Sequence, residues 1–136
     1  MLTIYDSADM ARTLSGPIDP DLRTILLGRL AVLYPEFADW DLADLAHFIV
    51  VEPGDSVDNI VGQLGVSPFY DALGQMRYPD PAFEPAWEYC IARKGWFDLT
   101  FALCDSGLGL CLLIPDSDLV DPGLVKLCRA YATPES

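Results

Sequence analysis

Trp96 to Cys104 and Leu108 to Ile114 are two strand-like runs joined by Asp105-Ser106-Gly107. A short glycine-containing turn between two such runs is a β-hairpin signature, and it constrains the chain more than any other feature. Asp98 is the one charge inside either run. A hairpin with a wet side would alternate polar and apolar residues, and this one does not. Both of its faces are therefore expected to be covered.

The covering elements are read from periodicity and caps. Ser7 is placed to cap a helix over about 8–15, closed by Gly16. Asp19-Pro20 caps and opens a second helix, with Leu22, Ile25, Leu26, Leu30 and Leu33 at helical spacing and Pro35 as its stop. Asp39 or Asp41 caps a short third helix carrying Leu42, Leu45 and Ala46. The β-branched run Phe48-Ile49-Val50-Val51 reads as a buried strand over 48–52. After the Pro53-Gly54-Asp55 turn comes a helix over 57–64, with Val57, Ile60, Val61 and Leu64 inward. Residues 66–85, rich in proline, read as a long loop. Pro85 opens a helix over 85–94 with Trp87, Cys90 and Ile91 on one side, and Asp121-Pro122 starts a last one with Leu124, Leu127, Cys128 and Tyr131. The expectation is an α+β fold: five or six short helices on a small antiparallel sheet centred on the 96–114 hairpin. It forms one domain over 1–136 with a frayed tail at 133–136.

A chain of 136 residues, 51% hydrophobic and 21% charged, is long enough to bury a core without staples. The N-terminus has no basic region followed by an apolar run, and the longest uncharged apolar run, Leu108 to Ile114, is far short of a bilayer span. These features point to the cytoplasm.

Catalytic and metal-binding patterns are sparse. His47 is the single histidine, at an expected helix–strand junction, where a structural hydrogen bond explains it more simply than a triad. Cys90, Cys104, Cys111 and Cys128 form no Cys-x-x-Cys pair and sit in apolar surroundings, so they read as core residues; Cys104 and Cys111 flank the hairpin turn and would face each other in one register. The carboxylate pairs Asp19/Asp21, Asp39/Asp41 and Asp116/Asp118 are explained as caps and loop residues. Gly107-x-Gly109 lacks the third glycine and the strand-to-helix setting of a phosphate loop. No catalytic residue, metal site or cofactor is assigned.

Two resemblances bear on function. Val50 to Ile60, with Gly65-Val66-Ser67 after it, resembles the opening of a LysM peptidoglycan-binding module, with its strand, Gly-Asp-Ser turn and helix; the second half of that module is not evident. Such a resemblance implies sugar binding. The blocks Phe83 to Tyr89, Gly95 to Leu99, Asp105 to Gly109, Asp121-Pro122 and Leu127-Cys128 resemble small uncharacterised proteins of bacterial plasmids and other mobile elements, a group that supplies context and carries over neither an activity nor site residues.

Charge supplies the sharper lead. The net charge is −13, from 21 acids against 8 bases. Phosphate backbones and anionic lipid repel such a chain, so nucleic-acid and membrane binding are disfavoured and a basic protein is the natural partner. From Leu30 to Met76 there is no Lys or Arg, while Glu36, Asp39, Asp41, Asp44, Glu52, Asp55 and Asp58 fall within 36–58. The functional reading makes these a partner-binding face that masks a basic, nucleic-acid-binding surface, in a non-catalytic interaction protein; helix capping and solubility are the plainer reading of the same acids. The alternative function is a small-molecule-binding domain or an unfamiliar enzyme, with an aromatic pocket built from Tyr78, Phe83, Trp87 and Trp96 beneath the 68–85 loop. A free hairpin edge would also offer a route to a homodimer.

Overall fold

The computed structural model describes residues 1–37, 42–64, 87–102 and 109–135. Its elements run β1 (Leu2–Ile4), α1 (Ser7–Ser15), α2 (Pro20–Phe37), a 3₁₀ turn (Leu42–Asp44), β2 (Ala46–Val50), α3 (Val57–Leu64), β3 (Tyr89–Arg93), β4 (Trp96–Ala102), β5 (Gly109–Pro115), α4 (Pro122–Tyr131) and β6 (Thr133–Pro134). The strands form one six-stranded sheet in the order β1-β2-β5-β4-β3-β6. It is mixed: β2 runs parallel to β5 and β3 to β6, and the other neighbours are antiparallel.

Alternation along the central strands divides the interior in two. Phe48, Val50, Cys111 and Leu113 point to one face, where Met10 of α1 and Leu22, Ile25 and Leu26 of α2 cover them. Ile49, Leu99, Phe101, Leu110, Leu112 and Ile114 point to the other, beneath Val57 and Ile60 of α3 and Leu124, Leu127 and Cys128 of α4. β5 is buried at every position from Leu110 to Ile114 because it has a helical layer on each side. The hairpin is thus covered on both faces, as its composition requires.

The expected picture of five or six short helices on a small antiparallel sheet is wrong in two respects. The sheet is larger and mixed, and the helix expected over 85–94 is strand β3 in its described part. Trp87, Cys90 and Ile91 fit helical spacing, but Cys90 and Ala92 turn to one face and Tyr89, Ile91 and Arg93 to the other. A two-residue turn, Lys94-Gly95, then pairs Arg93 with Trp96. Both turn residues are left-handed, with φ of 50° and 83°, which is the type I′ geometry that matches strand twist. Asparagine or glycine normally occupies the first of these positions; a lysine there costs roughly 1 kcal/mol and hides the turn from a sequence reading.

Smaller departures have local causes. α2 continues through Pro35 to Phe37, so the proline does not stop the helix where expected, although it forfeits its own N–H bond to the preceding turn. The expected third helix is one 3₁₀ turn followed by β2. Asp6 rather than Ser7 caps α1, accepting from the Asp9 N–H at 2.7 Å. The tail at Thr133–Pro134 pairs with β3. The hairpin offers no free edge, because β4 and β5 each have neighbours on both sides and the outer strands are β1 and β6.

Candidate functional site

β2 and β5 run parallel, so their C-terminal ends open at the same end of the sheet. Two acid-bearing turns meet there. Glu52-Pro53-Gly54-Asp55 follows β2; the Asp55 N–H donates to the Glu52 carbonyl at 3.0 Å, and Gly54 has φ +92°. Proline second and a left-handed glycine third are what a type II turn demands. The second turn, Asp116 to Val120, follows β5, and its Leu119 carbonyl accepts from the Gly54 N–H at 3.2 Å. The two turns are thereby fixed to each other.

Asp121 ties the helices beneath them. Its Oδ1 accepts from the Gly123 and Leu124 N–H groups of α4 at 3.1 and 3.4 Å. Its Oδ2 accepts from the Val57 N–H at the start of α3 at 3.2 Å. One carboxylate serves two helix N-termini whose residues lie 64 apart in sequence. Each such cap contributes about 1 kcal/mol, helped by both helix dipoles. Asp121→Ala is therefore expected to lower unfolding free energy by about 2 kcal/mol, read from the urea midpoint; Asp121→Asn, which keeps the acceptor oxygen, should recover about half of it.

Ion pairs at this end are lopsided. The Met1 ammonium pairs with Glu52 at 2.6 Å and Asp55 at 3.0 Å, and hydrogen bonding to Glu52 holds it above its usual 8.0. Arg129 Nε donates to Asp116 Oδ1 at 2.7 Å and Arg129 also lies 3.7 Å from Asp118. Glu52, Asp55, Asp116 and Asp118 thus share two cations. Asp118 is 94% exposed, and Leu119 next to it is 72% exposed, a large apolar side chain set in an acidic rim.

Only part of the expected acidic face can be located. Glu52, Asp55 and Asp58 fall together at the β2–α3 turn. Asp55 is not offered outward: besides Met1 it accepts from the Glu52 N–H at 2.9 Å, closing the turn. Asp39 and Asp41 lie outside the described residues, and the side chains of Glu36, in the last turn of α2, and Asp44, in the 3₁₀ turn, are likewise outside the description. The sequence reading leaves Asp116, Asp118 and Leu119 out of this face because it follows an uninterrupted stretch of chain. The parallel pairing of β2 with β5 adds them, and no local pattern announces it.

Of the expected aromatic pocket, Trp87 and Trp96 can be placed, and they lie on opposite faces of the sheet. Trp87 packs on the α3/α4 side of the sheet, edge-on to Tyr131 at 5.6 Å, whereas Trp96 packs on the α1/α2 side. Tyr78 and Phe83, with the 68–85 loop, lie outside the described residues, as does Cys104. His47, half-buried on β2, stacks at 4.8 Å on Tyr5.

A second polar assembly lies beneath α2. Asp98 of β4 is fully buried, on the sheet face opposite Leu99. Its Oδ1 accepts from Thr100 Oγ1 and Cys111 Sγ, each at 3.1 Å. Its Oδ2 accepts from Arg93 Nε at 3.1 Å and lies 3.9 Å from Arg29 Nη1. Burial, then the Asp98 charge, pushes the Cys111 thiol well up, so it stays a donor. Arg29 stacks 5.4 Å over the Tyr89 ring. Arg29 Nε and the Tyr89 hydroxyl are buried without a hydrogen-bond partner among the described residues. Such groups are expensive, about 1–3 kcal/mol each. On the other face, Cys90 and Cys128 hydrogen-bond to each other; that bond, then burial, pushes the Cys128 thiol up.

No family model, curated protein or solved structure matches the chain. Among the described residues, no helix is long and apolar enough to cross a membrane.

Proposed function

We propose that this chain is a non-catalytic interaction protein that binds a basic protein partner through the acidic end of its sheet, masking a surface that otherwise meets nucleic acid. The observation that carries the reading is the set Glu52, Asp116 and Asp118 around an exposed Leu119. An apolar anchor within a charged rim is the usual anatomy of a protein interface. Excess negative charge would steer a basic partner in and exclude phosphate-bearing competitors. A mobile-element accessory or inhibitor would have this character.

The test is capture of partners from native lysate by the wild type and by two variants, Asp58→Lys/Asp118→Lys and Leu119→Glu, at low and high salt. A basic protein held by the wild type at low salt, released by high salt and lost from both variants is the expected result. A partner retained equally by all three proteins would remove the acidic end from consideration.

A further inference from the structure

Positive charge is scarce in this chain, yet three of its eight Lys and Arg side chains, Arg29, Arg93 and Lys94, line one cavity of about 250 Å³ between α2 and the β3–β4 turn. Two carboxylates stand against them, Asp98 behind and Glu135 at the wall. The balance is one cation in excess. We propose that this cavity binds a small ligand with an oxyanion head, carboxylate or phosphate, on a compact apolar body.

The head group would meet guanidinium groups that are already oriented. Asp98 holds Arg93 and faces Arg29 from inside the sheet, while the two arginines keep 24% and 22% of their side chains exposed. Each is fixed from behind and reachable from the cavity, which spares the ligand the ordering of flexible side chains. Arg29 is the less satisfied of the two: its Nη1 stands 3.9 Å from Asp98, outside hydrogen-bond range, and its buried Nε has no hydrogen-bond partner among the described residues. A planar guanidinium with spare donors is suited to a bidentate oxyanion.

Lys94 supplies the third charge from the rim. It is the strained residue of the I′ turn, and among the described residues no carboxylate lies within ion-pair distance of it. Strain kept at a cavity mouth, where asparagine would fold more comfortably, points to a role for the ammonium. The body of the ligand finds Ile25 and Val32 along α2, with Gly28 between them. A Cβ at Gly28 would meet nothing within 4 Å. A glycine mid-helix sacrifices helix propensity, and here no neighbour demands it; it leaves the cavity open. Glu135 Oε2, 3.6 Å from Arg93 Nη1, is the internal anion that the ligand displaces.

The test is NMR titration of isotope-labelled protein with sodium butyrate and, separately, with n-propyl phosphate, following the Arg29 and Arg93 Nε–H signals and the Lys94 and Gly95 amides. Saturable shifts confined to these groups with at least one probe are expected, and the probe that works identifies the head group. Lys94→Asn relieves the turn strain, so it should raise the urea midpoint slightly while weakening binding about tenfold. Glu135→Gln should tighten binding about threefold. No saturable shift with either probe, or Lys94→Asn binding as well as the wild type, overturns the proposal.

Discussion

Asp98→Ala is expected to lower unfolding free energy by about 3–5 kcal/mol, the cost of removing one partner from a buried ion pair. The carboxylate is fully buried and takes hydrogen bonds from Thr100, Cys111 and Arg93, with Arg29 close by. Alanine leaves Arg29 and Arg93 with Glu135, 3.6 Å from Arg93 Nη1, as their remaining counter-charge, and leaves two buried donors without an acceptor. Asp98→Asn separates the contributions. It retains an acceptor oxygen but no charge, so it should cost less than alanine while still weakening the hold on Arg93. Equilibrium urea unfolding checks both. An alanine variant within about 1 kcal/mol of the wild type would mean that the arginines swing out to water and that the assembly is not a structural hub.

Phe48→Ala should cost about as much, 3–5 kcal/mol, by a different route. Phe48 is fully buried on β2 in the cluster with Met10, Leu22, Leu26 and Leu113. Its strand neighbours are Ile4 of β1 and Cys111 of β5. Its ring therefore fills the space where the sheet meets α1 and α2, and among the described residues this cluster is the one core those two helices pack into. Removing it leaves a cavity that a sheet on one side and two helices on the other cannot readily close. Phe48→Leu, which keeps most of the volume, is expected to cost less than half as much. The urea midpoint should drop with little change in its slope; a changed slope would mean loss of α1 from the folded state.

The hairpin and the helices at 57–64 and 122–131 were legible because their signals are local. Two uncharged apolar runs demand burial on both faces, and Asp121-Pro122 followed by Leu124, Leu127 and Cys128 needs only helical periodicity. β3 was not legible. Its five residues have an ambiguous period, and the turn after it carries a lysine where asparagine would have announced a hairpin. The mixed character of the sheet was out of reach for a related reason: the pairing of β2 with β5 spans some sixty residues and is decided by burial of whole faces, not by any short pattern. The same holds for the acidic end, where Glu52 and Asp58 were recognisable as acids but their neighbours Asp116 and Asp118 are neighbours only in the fold. Asp98 stands out in the sequence as the lone charge in the hairpin, but spacing gives no sign of its arginine partners Arg29 and Arg93.

The position of β5 has a consequence for how the chain comes to its final state during synthesis. β5 is the last long strand to leave the ribosome, yet it occupies the interior of the sheet between β2 and β4. Until residue 115 has emerged, β1 with β2 and β3 with β4 can exist only as two separate ribbons, each with an unpaired edge awaiting the same strand. Hairpins of two strands are marginal alone, and open edges invite pairing between nascent chains. The completed molecule hides those edges, and chains interrupted before β5 are the form of this protein most prone to aggregate.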